Sequence, residues 1–332
     1  MPKPKLLSTR PLFEPVRETL DEHFDMEYWT RPERIPRDEF LARVAGKNGL
    51  ICLLTEKVDE ELLAQAPNLR LVATVSVGFD NIDVPACTRH GVVAANTPDV
   101  VGETTADFAW VLIFAVARRL LEGVEMIQSQ SWTGWDLDLL CGADVWGKTL
   151  GVVGLGRIGR AVARRAQGFR MKVLYSDALQ ATGEVERELG AEYVSLERLL
   201  AVADFISLHV PLLPATRHLI STAQLARMKK SAFLINTSRG PVIDEKALIV
   251  ALDEGQIAGA ALDVYENEPR VNAGLLGRKN VVLTPHIASA SLETRTKMAA
   301  IAAENAIALF SGRRPPNAIN PDVLEKSQSS SR

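Results

Sequence analysis

Val152-Val153-Gly154-Leu155-Gly156-Arg157-Ile158-Gly159 decides how this chain folds. An apolar run that ends in G-x-G-x-x-G and passes straight into a helical stretch is the first strand-to-helix turn of a doubly wound nucleotide-binding sheet. Each glycine has its own steric role. One makes the tight turn, one lets backbone approach a pyrophosphate, and one lets helix pack on strand. The helix start offers free N–H groups and a positive dipole end to that anion. Asp177 closes the next apolar strand, 18 residues past Gly159. A carboxylate there accepts hydrogen bonds from the adenosine ribose and repels a 2′-phosphate. Strand, glycine turn, helix, strand and acid in this order predict dinucleotide binding, with NAD(H) favoured over NADP(H).

Outward from the turn, apolar strands are predicted at 150–153, 172–175, 205–209, 232–236, 259–263 and 281–284, with helical stretches between most of them. Upstream, predicted strands at 5–8, 49–54 and 71–75 alternate with helices at Glu14–His23, 59–65 and 84–90. Such alternation implies parallel sheets covered on both faces. Residues 104–121 read as one helix apolar around most of its girth, which suits a junction between packed bodies. A last helix at 291–310 follows the second strand series and returns to the N-terminal body. The expected fold is therefore α/β, with two doubly wound parallel-sheet domains: a Rossmann nucleotide domain at 100–287, and a discontinuous, flavodoxin-like substrate domain from 1–99 and 288–332. The polar, serine-rich tail 325–332 is expected to fray.

At 332 residues, 47% apolar and 24% charged, the chain has the mix of a two-domain globular protein. The 38 basic and 41 acidic residues leave a net charge of −3 with no long basic run, which argues against a nucleic-acid partner. Cys52, Cys87 and Cys141 are odd in number and far apart, so neither a disulfide framework nor a zinc site is expected. No apolar run reaches membrane-spanning length, and the first ten residues lack the apolar centre of a signal peptide. These features predict a soluble cytoplasmic protein without a metal.

Hydride transfer to a carbonyl also needs a cation for the substrate carboxylate, an acid for the developing alkoxide, and a partner for that acid. Three strand ends supply candidates: Arg239 in Asn236-Thr237-Ser238-Arg239-Gly240, Glu268 in Asp263-Val264-Tyr265-Glu266-Asn267-Glu268-Pro269, and His286 in Thr284-Pro285-His286-Ile287-Ala288-Ser289. Ligands of open α/β sheets bind outside the carboxyl ends of strands, where these three would gather.

These runs, in order and at these spacings, resemble the D-isomer-specific 2-hydroxyacid dehydrogenases over about residues 45–320. Within that family the closest resemblance is to glyoxylate/hydroxypyruvate reductases, carried by 50–54, Ser76-Val77-Gly78-Phe79-Asp80-Asn81-Ile82-Asp83, Asn96-Thr97-Pro98-Asp99-Val100 and Trp132-Thr133-Gly134-Trp135. The resemblance implies Arg239 on the substrate carboxylate and carbonyl, His286 as acid/base and Glu268 hydrogen-bonded to His286. Formate dehydrogenases of the same family carry an amide at the Glu268 position. A carboxylate beside His286 favours the protonated ring, so Glu268 points to a 2-keto or 2-hydroxy acid.

The resemblance also implies cofactor contacts at Arg157, Ile158, His209, Val210, Pro211 and Thr216. Thr237, Ser238, Ala288 and Thr105 join them, and Asp263 would bind the nicotinamide carboxamide. Backbone N–H groups at Val77 and Gly78 would hold the substrate carboxylate. Leu53 and Leu54 stand where phosphoglycerate dehydrogenases supply an arginine, so phosphorylated acids are disfavoured. Trp135 would reach across a homodimer interface to cap the partner's site. The expected reaction is NADH-dependent reduction of glyoxylate or hydroxypyruvate to glycolate or D-glycerate. Alternatives are a D-lactate-type or broad 2-ketoacid reductase, or a non-enzymatic NAD-binding protein like the corepressors built on this fold.

Overall fold

A computed structural model describes residues 2–329. Contacts divide them into two units, one formed by the stretch up to Val101 with that from Ser291 onward, the other by Gly102–Ala290.

The first unit holds strands β1 (Lys5–Ser8), β2 (Asp25–Tyr28), β3 (Gly49–Cys52), β4 (Leu71–Thr74) and β5 (Val93–Ala95), with helices α1 (Glu14–His23), α2 (Arg37–Val44), α3 (Glu60–Gln65) and α4 (Val84–Arg89). All pairings are parallel, in the order β2-β1-β3-β4-β5, the flavodoxin-like arrangement. Every residue of β3 and β4 is buried, as expected of central parallel strands covered on both faces. Strand β2, not predicted from the sequence, is a partly exposed edge strand of sequence DMEY with only a weak apolar signal.

The second unit begins with α5 (Gly102–Ala117) and α6 (Leu120–Gln128). The single helix expected at 104–121 is thus two, separated where Arg119 takes a left-handed backbone conformation, φ +51°. Helix α5 packs within its own unit, and Ala106, Ala109, Leu112 and Ile113 are buried. The sheet comprises β6 (Thr149–Val153), β7 (Lys172–Ser176), β8 (Ala191–Tyr193), β9 (Phe205–Leu208), β10 (Phe233–Asn236), β11 (Gly259–Leu262) and β12 (Val281–Leu283). Helices α7 (Arg157–Ala166), α8 (Gly183–Leu189), α9 (Leu196–Val202), α10 (Thr222–Leu225) and α11 (Glu245–Asp253) connect the strands. Their order, β12-β11-β10-β9-β6-β7-β8, reverses direction at β6. The short edge strand β8 adds a seventh to the six expected strands.

In the first unit, α12 (Leu292–Phe310) lies on α1, β3 and β4, with Phe310 edge-on to Phe24 at 5.5 Å. The tail expected to fray continues as α13 (Asp322–Ser329), anchored by Val323 and Leu324 in the core of that unit. Residues 330–332 of that tail lie outside the described residues.

Candidate active site

The reversal at β6 places the glycine turn at the carboxyl edge of the seven-stranded sheet. Gly154 has φ +93°, and a Cβ there would stand 2.8 Å from the His209 carbonyl oxygen. A Cβ on Gly159 would stand 2.0 Å from the Gly154 carbonyl oxygen, so α7 could not lie so close to β6 with any other residue. Gly156, by contrast, faces open space where its Cβ would be. Arg157 and Ile158 form the first turn of α7 behind it. The Asp177 carboxylate, just past β7, accepts the Leu155 N–H at 2.7 Å and the Ala178 N–H at 2.7 Å, which joins the acid directly to the glycine turn.

Beside β6, His209 and Thr237 come one residue past the paired Leu208 and Asn236 on adjacent strands β9 and β10. His209 Nε2 is 2.8 Å from the Ser207 hydroxyl, while its Nδ1 and the Thr237 hydroxyl are buried without a hydrogen-bond partner. Burial pushes the His209 pKa down to about 3, so the ring is neutral. An unsatisfied buried polar group costs about 1–3 kcal/mol, and two side by side suit a polar ligand crossing this edge. Open space at Gly156, a carboxylate tied to the turn and two unpartnered polar groups beyond it together fit a dinucleotide. Among the other expected cofactor contacts, the Thr216 hydroxyl receives the Leu213 N–H at 2.8 Å and donates to the Pro211 carbonyl at 2.6 Å, closing the loop after Val210. Thr105 is buried in α5.

Arg239 sits in a turn built by Asn236. The Asn236 Oδ1 receives the Ser238 N–H at 2.9 Å and its hydroxyl at 2.7 Å, while its Nδ2 donates to the Arg239 carbonyl at 2.9 Å. The next residue must be glycine, because a Cβ on Gly240 would lie 1.9 Å from the Tyr265 carbonyl carbon. That contact packs the arginine turn against the loop bearing Glu268.

His286 Nδ1 and Glu268 Oε2 are 2.9 Å apart. Glu268 Oε1 accepts the Tyr265 N–H at 3.1 Å. Although desolvation raises it, the Glu268 carboxyl is held below its ordinary pKa by the hydrogen bond and charge of His286, aided by the Tyr265 N–H and the Arg239 charge. Tyr265, whose own pKa burial pushes up to about 12, donates its hydroxyl to the Thr284 carbonyl at 2.8 Å, two residues before His286.

His286 has φ +54°, a conformation disfavoured for a non-glycine residue. Fully buried Asp263 holds it there. Its carbonyl receives the His286 N–H at 2.9 Å, and its carboxylate receives the Thr284 hydroxyl at 2.6 Å and the Ile287 and Ala288 N–H groups at 2.8 Å. Burial raises the Asp263 pKa against these donors. Tyr265 and Thr284 were not singled out in the sequence; Tyr265 lies inside the DVYENEP run but reads there as one more apolar position.

In the first unit, Leu53 and Leu54 follow β3 half-buried, and Val77 and Gly78 follow β4. The Leu53 N–H donates to Glu56 Oε2 at 2.9 Å and its carbonyl accepts from Asn81 at 3.2 Å. The Ser76 hydroxyl donates to the Gly78 carbonyl at 2.6 Å, and Asn96 Nδ2 to the Val77 carbonyl at 2.7 Å. With those carbonyls tied, the chain bends at 75–77. Trp135, in the second unit, is 81% exposed.

A family model for the NAD-binding domain of D-isomer specific 2-hydroxyacid dehydrogenases matches residues 110–288. The chain is 48% identical to a glyoxylate reductase from Korarchaeum cryptofilum (strain OPF8) over 325 residues, covering 97% of this chain and 98% of the relative. A crystal structure of a protein from Thermus thermophilus matches with TM-score 0.89 at 41% identity, covering 95% of this chain and 99% of that one. The NADPH-dependent glyoxylate/hydroxypyruvate reductase of Sinorhizobium meliloti, in complex with NADP and malonate, matches with TM-score 0.83 at 32% identity over 96% and 97% of the two chains.

Proposed function

The chain belongs to the D-isomer specific 2-hydroxyacid dehydrogenases and is an oxidoreductase using a nicotinamide dinucleotide; we propose that it reduces glyoxylate and hydroxypyruvate with NADH. The observation that carries this reading is the 2.9 Å pairing of His286 with Glu268, beside an arginine turn and a dinucleotide cradle on one sheet edge. Glyoxylate reductases at 45–48% identity support the choice of substrate.

In this reading the glycine turn holds the pyrophosphate, Asp177 the adenosine ribose, and His209 and Thr237 the nicotinamide half. When bound, the reduced cofactor supplies the hydride. Arg239 binds the substrate carboxylate and draws charge toward the carbonyl oxygen. His286, protonated on both ring nitrogens, gives its Nε2 proton to that oxygen as negative charge develops there. Its Nδ1–H stays bonded to Glu268, which favours the charged ring before transfer and fixes its plane during it. Asp263 and Tyr265 keep the two side chains aligned. In the first unit the Val77–Gly78 N–H groups bind a substrate carboxylate, and Leu53 and Leu54 wall the space next to those groups.

Preference for NADH rests on Asp177, whose oxygens accept the Leu155 and Ala178 N–H groups and whose charge would repel a 2′-phosphate. Leu120, Leu121, Val124 and Ile127 on α6 are exposed, as are Trp132 and Trp135. So much apolar surface supports a homodimer, in which Trp135 caps the partner's site. Sedimentation should show a dimer at micromolar concentration. Three free cysteines support a cytoplasmic setting.

The deciding experiment is a panel of NADH oxidation rates with glyoxylate, hydroxypyruvate, pyruvate and phosphohydroxypyruvate. Glyoxylate and hydroxypyruvate should lead in kcat/KM. A lead for pyruvate would favour a D-lactate-type enzyme, and no turnover of any of the four would overturn the assignment.

A further inference from the structure

We propose that Glu56 selects substrates by charge: its carboxylate, hydrogen-bonded to the Leu53 N–H, disfavours any 2-keto acid that carries a second anionic group. The inference rests on the reading that Leu53 and Leu54 wall the acid-binding space.

Glu56 follows β3 and is only 7% exposed. Its Oε2 receives the Thr9 hydroxyl at 2.7 Å and the Leu53 N–H at 2.9 Å, and its Oε1 receives the Thr55 hydroxyl at 2.5 Å. These three donors are neutral, so they fix the carboxylate in place without cancelling its charge. Asn81 closes the same turn from the other side, donating to the Leu53 carbonyl at 3.2 Å and the Glu56 carbonyl at 2.8 Å. Wall and charge therefore form one rigid piece.

A charge fixed among buried atoms acts over several ångströms, because little water intervenes to screen it. A monoanionic acid keeps its one carboxylate at the Val77–Gly78 N–H groups and presents hydrogen or a neutral substituent to the wall. A phosphate or second carboxylate at the wall would meet the field of Glu56. An apolar wall alone excludes every strongly hydrated group, whereas an anion behind it separates charged from neutral groups of equal size.

Glu56→Gln keeps the shape and an oxygen for the Leu53 N–H but removes the charge. The ratio of kcat/KM for phosphohydroxypyruvate or oxaloacetate to that for hydroxypyruvate should rise roughly tenfold in this variant, the scale of one fixed charge a few ångströms away. Glu56→Asp keeps the charge and should hold the ratio near its original value. Circular dichroism and thermal unfolding report whether each variant has folded. A ratio unchanged within about twofold, or equal losses for all substrates, would overturn the proposal and leave Glu56 a loop-shaping residue. Should Glu56→Gln fail to fold, the unaltered enzyme still decides: tartronate, with two carboxylates, should inhibit roughly tenfold more weakly than its isosteric monoamide, and equal inhibition would overturn the idea. Failure of the unaltered enzyme to reduce any 2-keto acid would instead strike the assigned reaction.

Discussion

Past β12, His286 meets Glu268 at 2.9 Å in a turn held by Asp263. Past β3, Leu53 and Leu54 have apolar side chains, and Glu56 and Asn81 nearby hold the Leu53 backbone. Both places are carboxyl edges of doubly wound parallel sheets. In the larger sheet, buried polar groups hold ionisable side chains in reactive pairs. In the smaller one, Ser76, Asn81, Asn96 and Glu56 hold peptide groups and apolar side chains in fixed positions. The same kind of edge thus carries a paired histidine and glutamate in one unit and a hydrogen-bonded turn bearing apolar side chains in the other.

The largest effect should come from the reactive edge. His286→Ala should lower kcat by roughly 10²–10⁴-fold, the usual share of general acid–base catalysis, with NADH affinity by fluorescence titration nearly unchanged. Loss of NADH binding in this variant would mean that His286 holds the cofactor rather than the proton alone.

Next comes the cofactor acid of the same edge. NADH should be used at least about tenfold better than NADPH by kcat/KM, about 1.4 kcal/mol in transition-state binding, and Asp177→Ala should weaken the preference. Equal use of both cofactors by the unaltered enzyme would remove Asp177 from the selective role.

On the selective edge, Leu53→Arg should improve phosphohydroxypyruvate relative to glyoxylate by roughly severalfold while leaving the pH profile in place, since an arginine pairs a phosphate that the wall now leaves without a cation. A changed pH profile would mean that this wall touches the chemistry as well.

The smallest change tests how the reactive pair is tuned. Glu268 is held below its ordinary pKa by the hydrogen bond and charge of His286, against the opposing effect of desolvation. The interaction is mutual, so removing the carboxylate removes a stabiliser of the imidazolium that donates the proton. Glu268→Gln should therefore retain measurable activity with the alkaline limb of keto-acid reduction moved to lower pH. A rate profile with an unmoved limb would count against the pairing.

Much of the larger unit could be read from residues alone. The glycine turn, Asp177 and the strands leading to Arg239, Glu268 and His286 carry strong local signals, since steric need for glycine and long apolar runs are written into a few consecutive positions. The helix expected at 104–121 broke into α5 and α6 because the left-handed step at Arg119 has no mark in an apolar run. The strands β2 and β8 went unread because each is short, partly exposed and carries acidic residues, and the short, buried β5 was missed as well. Glu56 and Tyr265 gave no signal either. A glutamate after a strand reads as a solvated charge, and a tyrosine in an apolar run reads as core.

The sequence by itself determined the two parallel sheets and the dinucleotide turn and offered Arg239, Glu268 and His286 as candidates, because periodicity and glycine sterics act between neighbours in the chain. Only the tertiary structure decided what those side chains are held by. Asp263 reaches Ile287 and Ala288, Tyr265 reaches Thr284, and Glu56 reaches Thr9, across 19 to 47 residues of chain. Such partners are chosen by burial, since a polar group taken out of water must find a hydrogen bond wherever the fold brings one, and no local pattern records which residue that will be.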